Sequence, residues 1–255
     1  MKKIRTFLFR VMVLSLLFAF CFSAYKIIDY LREGAESNAS RDQLLEQAVQ
    51  EAPRETLLPA DRQPEPPILV DFDRLEQENP DIVAWLFCDG TPINYPVLQA
   101  ADNSYYLDKL PDGQWNAAGS LFLDYRNSRD FKDANSLIYG HNMKNQSMFG
   151  SISKYQDQAY YEEHPVLYLL TKEQNYKIVL LAGHVLDADA EFYELPLDRG
   201  EQSALLEKSL ALSDFESQAQ FLPGEELISL STCSSAHENA RYVLLGALRP
   251  LPMQR

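Results

Sequence analysis

Eight short runs rich in Val, Ile, Leu, Phe and Tyr constrain this chain more than any other feature. They cover residues 82–87, 94–98, 120–124, 136–139, 166–171, 176–186, 227–232 and 242–248. Turn residues bound most of them, so each reads as a β-strand. They do not alternate with helices as βαβ units would. The expected fold is therefore mainly β: an antiparallel or mixed sheet closed into a barrel, not a doubly wound sheet. Short helices are expected at 71–78, where Pro80 stops the run, at 102–107 and at 147–155. A longer one is expected at 199–213, where Ala204, Leu205, Leu210 and Leu212 give a mixed helical pattern. That insertion directly precedes the strand at 227–232 and is placed beside it.

The last two strands hold the chemistry. The first ends on Cys233, a polar loop follows, and Arg241 opens the second. If the two strands pair, the loop returns the guanidinium to the sheet end that holds the thiol. A permanent cation favours the reactive thiolate and can stabilise an oxyanion formed when that thiolate attacks a carbonyl. A cysteine nucleophile also needs a proton donor for its leaving group, and His141 in Tyr139-Gly140-His141-Asn142 is the strongest candidate. The plain alternatives are a buried, inert Cys233 and a surface Arg241. A Cys88–Cys233 disulfide is the third arrangement, and it would remove the nucleophile; Cys88 by itself reads as core. His164 reads as solvated in a polar turn, and His184 as a satisfied residue of the barrel wall. His237, four residues after Cys233, is the rival to His141 and a candidate substrate contact. No second Cys/His pair stands at zinc-like spacing, so neither a metal nor a cofactor is expected. Acidic runs such as Glu162-Glu163 and Asp187-Ala188-Asp189 read as solvated surface. Asn142 reads equally well as a turn residue and as a site residue.

Outside the barrel the chain changes character. Its 255 residues allow one domain plus appendages. A net charge of -14 argues against a nucleic-acid partner, because phosphate contacts need basic patches. Lys2, Lys3, Arg5 and Arg10 precede an apolar run, and residues 7–28 suffice to span a bilayer if Arg10 and Lys26 snorkel. Positive charge ahead of the span places the N-terminus in the cytoplasm and the rest outside. A cleaved signal peptide is the competing reading, although Phe22-Ser23-Ala24 fits a cleavage site poorly. The expected organisation is a basic tip and single-pass membrane anchor at 1–28, a helical stalk and Pro-rich linker at 29–67, and a catalytic domain at 68–255. Five prolines between residues 51 and 67 mark the linker.

Several segments together resemble class B sortases. They are Asn79-Pro80-Asp81-Ile82-Val83-Ala84-Trp85, Tyr95-Pro96-Val97, Asp102-Asn103-Ser104-Tyr105-Tyr106-Leu107, Gly119-Ser120-Leu121-Phe122-Leu123-Asp124-Tyr125-Arg126, Tyr139-Gly140-His141-Asn142-Met143, and Ser229-Leu230-Ser231-Thr232-Cys233 followed by Arg241. They stand in the family's order and cover nearly everything from residue 71 onward. The resemblance implies an eight-stranded barrel with N-terminal helices and a helix in the loop before the cysteine strand. It implies a transpeptidase that cuts a C-terminal sorting signal, of an Asn/Ser-Pro-x-Thr type, from a secreted protein. The new end is passed to an amine of the cell wall or of a pilin. On this carry-over Cys233 is the nucleophile, His141 the general acid/base and Arg241 the oxyanion or substrate clamp. Asn103, Leu107 and Tyr139 fall where the family lines its groove, and Ser231 and Thr232 adjoin them as substrate contacts. Two positions depart from the pattern. Ser229 replaces the usual threonine, and Ser235-Ala236-His237 stands where the class carries an aromatic and an acid. The alternatives kept open are a cysteine endopeptidase that uses water and an inactive anchored assembly module.

Overall fold

The computed structural model describes residues 2–52, 66–187, 191–195, 197–233 and 239–252, with backbone alone at 2, 3, 191 and 233. One helix, α1 (Lys2–Ala48), leads into two short paired strands, β1 (Val49–Glu51) and β2 (Ile68–Val70), and then α2 (Phe72–Glu78). The barrel follows: β3 (Ile82–Phe87), β4 (Asn94–Leu98), β5 (Leu121–Leu123), β6 (Asn135–Tyr139), β7 (Val166–Leu170), β8 (Tyr176–Asp187), β9 (Glu226–Cys233) and β10 (Ala240–Pro250). Helix α3 (Gln158–Glu163) precedes β7, and α4 (Arg199–Leu212) lies between β8 and β9. The strands close in the order β10-β8-β7-β3-β4-β5-β6-β9. Two neighbours are parallel, β4 with β5 and β6 with β9; the rest are antiparallel. The expected closed, mainly β barrel is what the chain forms.

The unbroken apolar reading of β3 has a simple cause: both of its faces are covered. Ala84 and Leu86 point into the barrel, whereas Ile82 and Trp85 face an outer cluster with Phe72, Leu75 and the end of α1 at Leu44 and Ala48. A register shift between Ile82 and Ala84 lets Ile82 and Trp85 share that outer face. Arg41 adds a polar tie, donating to the Tyr95 hydroxyl at 3.2 Å. The stalk expected at 29–50 is therefore a single continuation of α1 whose last turns dock on the barrel. Asp71 caps α2 by accepting from the Arg74 amide, and Asp198 and Glu201 form a capping box on α4.

Other expectations change. The helix expected at 102–107 is only a 3-10 turn at Tyr105–Leu107. The one at 147–155 shifts to a 3-10 turn at Ile152–Gln156, followed by α3, which Asp157 starts by accepting from the Ala159 amide. His164 ends α3 half-buried, its ring 4.7 Å from that of Tyr160, so it is not simply solvated. Cys88 is a free thiol in the barrel core, 1% exposed and 3.7 Å from the Tyr155 hydroxyl, and burial pushes its pKa up. A Cys88–Cys233 disulfide is thereby excluded. His184 is buried as expected but not satisfied: neither ring nitrogen has a partner among the described residues.

Candidate active site

Strand register brings the distant candidates to one end of the barrel. On β9 and β10, Cys233 lies directly opposite Arg241. On the other side of β9, the parallel strand β6 pairs Tyr139 with Ser231. Cys233 and His141 each lie two residues beyond that pair, on neighbouring chains running the same way. The Gly140 amide extends the ladder by donating to the Ser231 carbonyl at 3.1 Å. A cleft of about 300 Å³ opens there. Asn103, Leu107 and Tyr139 line it, as do Ser231, Thr232, His141 and Arg241. The residues named from sequence thus share one cavity, except Cys233, described by its backbone position at the cleft end of β9, and His237, which lies outside the described residues.

His141 is exposed, and its Nε2 lies 2.7 Å from the Leu107 carbonyl oxygen, which holds the ring against one wall. Gly140 sets the approach. A Cβ there would run into Leu121 and the ring of Phe149. Gly140→Ala is therefore expected to cost about 1–3 kcal/mol of stability and to lower turnover by moving His141. Urea unfolding and peptide-cleavage kinetics check both parts. The Arg241 guanidinium turns back to donate from Nη1 to the Ala240 carbonyl at 3.1 Å. The Thr232 hydroxyl is buried without a partner among the described residues.

Beneath the cleft, one carboxylate ties its two walls together. Asp124 is fully buried and accepts from Asn103 Nδ2 at 2.8 Å, from the Tyr139 hydroxyl at 3.1 Å, and from Arg126 Nε and Nη2 at 2.8 and 2.7 Å. Burial would raise its pKa, but the hydrogen bonds from Arg126 and Asn103 outweigh burial and hold it below the usual carboxylate range. Arg126 Nη2 also donates to the Tyr193 carbonyl at 3.1 Å. Tyr193 sits in a 3-10 turn (Glu191–Tyr193), stacks on Tyr139 at 6.2 Å and bonds the Ser231 hydroxyl at 2.8 Å. Asn103 therefore has a positioning part as well as a place in the cleft. Sequence reasoning missed Tyr193 and the Asp124–Arg126 brace; Asp124 and Arg126 stand in a quoted motif, whereas no pattern flags Tyr193.

No protein-family profile matches the chain. Over 251 residues, however, it is 32% identical to sortase B of Listeria monocytogenes, covering 96% of this chain and 98% of that one. The chain belongs to the class B sortase family. Solved sortase B structures agree. One from Bacillus anthracis, described as similar to sortase B, matches with a TM-score of 0.70 and 29% identity, over 88% of this chain and 99% of that one. A Staphylococcus aureus sortase B–substrate complex matches with a TM-score of 0.67 and 26% identity, over 71% and 85%. Membership makes the chain a sortase-type cysteine transpeptidase, and the register of β6, β9 and β10 is the frame on which such chemistry would sit.

Proposed function

We propose that this sortase is a membrane-anchored transpeptidase that joins secreted proteins bearing a C-terminal sorting signal to an amine of the cell wall or of a pilin. The observation that carries the site assignment is the register: Arg241 opposite Cys233, and His141 and Cys233 each two residues beyond the Tyr139–Ser231 pair. In the proposed first step the Cys233 thiolate attacks the scissile carbonyl, forming a C–S bond and an oxyanion that Arg241 faces. The intermediate collapses, the C–N bond breaks, and His141 donates a proton to the leaving amine. An incoming amine then attacks the thioester, His141 takes its proton, and the C–S bond breaks to restore the thiolate. Asn103, Leu107, Tyr139, Ser231 and Thr232 contact the signal, and His237 borders it.

Residues 4–48 form a helix whose apolar window has a mean hydropathy of 2.2 and no buried residue. That length and composition support an anchor at 1–28 with the N-terminus inside, a stalk and linker at 29–67, and a catalytic domain at 68–255 outside. A Staphylococcus aureus sortase B has been crystallised with triglycine, which supports an amine acceptor. The test is a library of sorting-signal peptides with triglycine added. The expected product is the ligated peptide, formed with a bell-shaped pH–rate profile because His141 must serve in both protonation states. His141→Ala should abolish turnover and His237→Ala should leave acyl transfer intact. A hydrolysed product alone would make the chain an endopeptidase, and the reverse histidine result would reassign the base.

A further inference from the structure

Behind the cleft wall lies a second cavity, of about 440 Å³, between α4 and the outer face of β8. Val185, Phe192, Leu197 and Leu205 give it apolar walls. Two buried polar groups on it lack partners. His184 is 3% exposed with neither Nδ1 nor Nε2 hydrogen-bonded among the described residues. Ser209, 1% exposed, has an equally unpaired hydroxyl among them. Register explains their meeting. His184 pairs with Val243 across β8 and β10, and Val243 belongs to the cluster under α4, so the imidazole faces α4 and not the barrel interior. The Phe192 ring meets it edge-on at 6.1 Å.

Each unpaired buried polar group is costly, and two on one apolar cavity call for an explanation that packing does not supply. Burial lowers the pKa of His184, so the ring is neutral and offers one donor and one acceptor. A hydroxyl matches that pair, because it both donates and accepts. The rim sets Asp187, Glu194 and Glu201 against Lys208, which disfavours an anionic head group. The volume falls within the roughly 300–1,000 Å³ of small-molecule sites. We propose that this cavity binds a neutral, largely apolar small molecule with a single hydroxyl, which pairs with His184 on the β8 wall beside Ser209 on the α4 wall. The site also backs onto the cleft: Phe192 touches its imidazole, and the next residue, Tyr193, lines the cleft.

The experiment uses the full chain in lipid nanodiscs with ¹³C-labelled histidine, and 2-naphthol as probe at free concentrations set by dialysis. The chain has four histidines, so each ring signal can be assigned by substitution. The His184 signals should shift saturably while those of His141 and His164 stay in place. Naphthalene, the same body without the hydroxyl, should bind about tenfold more weakly. Ala204→Trp, which plugs the cavity from an exposed position on α4, should remove the His184 shift. His184→Phe, followed by naphthol fluorescence, should erase the preference for the hydroxyl and serves if the first variant folds poorly. No saturable shift, equal binding of naphthalene, or an undiminished shift in Ala204→Trp would overturn the proposal.

Discussion

Cys233→Ala is expected to reduce cleavage of a sorting-signal peptide by at least about 10³-fold, because the variant has no group that can form the acyl-enzyme. The fold should be unchanged, since the pairing of Cys233 with Arg241 is a backbone matter on β9 and β10. Arg241→Ala should cost roughly 10²–10³-fold in kcat, the range for loss of a group facing a developing oxyanion, and Arg241→Lys should recover part of it. Steady-state kinetics on the three variants, beside urea unfolding, separate chemistry from stability. Full cleavage by Cys233→Ala would require another nucleophile.

Arg126→Ala should be the most damaging change to stability away from the barrel core. It leaves the fully buried Asp124 with only Asn103, Tyr139 and a backbone amide to hold its charge. Breaking a buried pair costs about 3–5 kcal/mol, and the 29% exposure of the Arg126 side chain favours the lower figure. In a chain of this size that corresponds to a fall of roughly 6–12 °C in Tm. KM should rise as well, since the same guanidinium holds Tyr193 on the opposite wall. Arg126→Lys keeps the charge without the fork and should restore stability more than KM. Acid gives an independent check. The folded pKa of Asp124 is depressed, so its contribution is present above about pH 4, its unfolded value, and is lost as pH falls through the lower folded value. Asp124→Asn should therefore lose less stability than the natural chain between about pH 4 and pH 2, measured as the shift in urea midpoint.

The barrel was legible because its strands advertise themselves. The boundaries of β3 and β4 match the apolar runs at 82–87 and 94–98 to the residue, since turn chemistry closes both. The pairing of Cys233 with Arg241 followed from two strands joined by a short loop. Other features depend on contacts that no local pattern encodes. The β1–β2 ladder joins Val49 to Val70 across the proline-rich segment. Helix α3 rests on a cap at Asp157 and a single buried side chain, Tyr161, too little apolar periodicity to see in advance. The link from Arg126 to Tyr193 spans 67 residues. His184 looked like an ordinary wall residue because its β8 neighbours are apolar; only the fold shows that its nitrogens face a cavity under α4.

The most direct test of the central claim is mass spectrometry of the full chain after treatment with a thiol-directed sorting-signal analogue, with peptide mapping of the product. A single adduct on the Cys233 peptide is predicted, absent from Cys233→Ala and diminished in Arg241→Ala. An unmodified Cys233, or an adduct confined to Cys21 or Cys88, would contradict it.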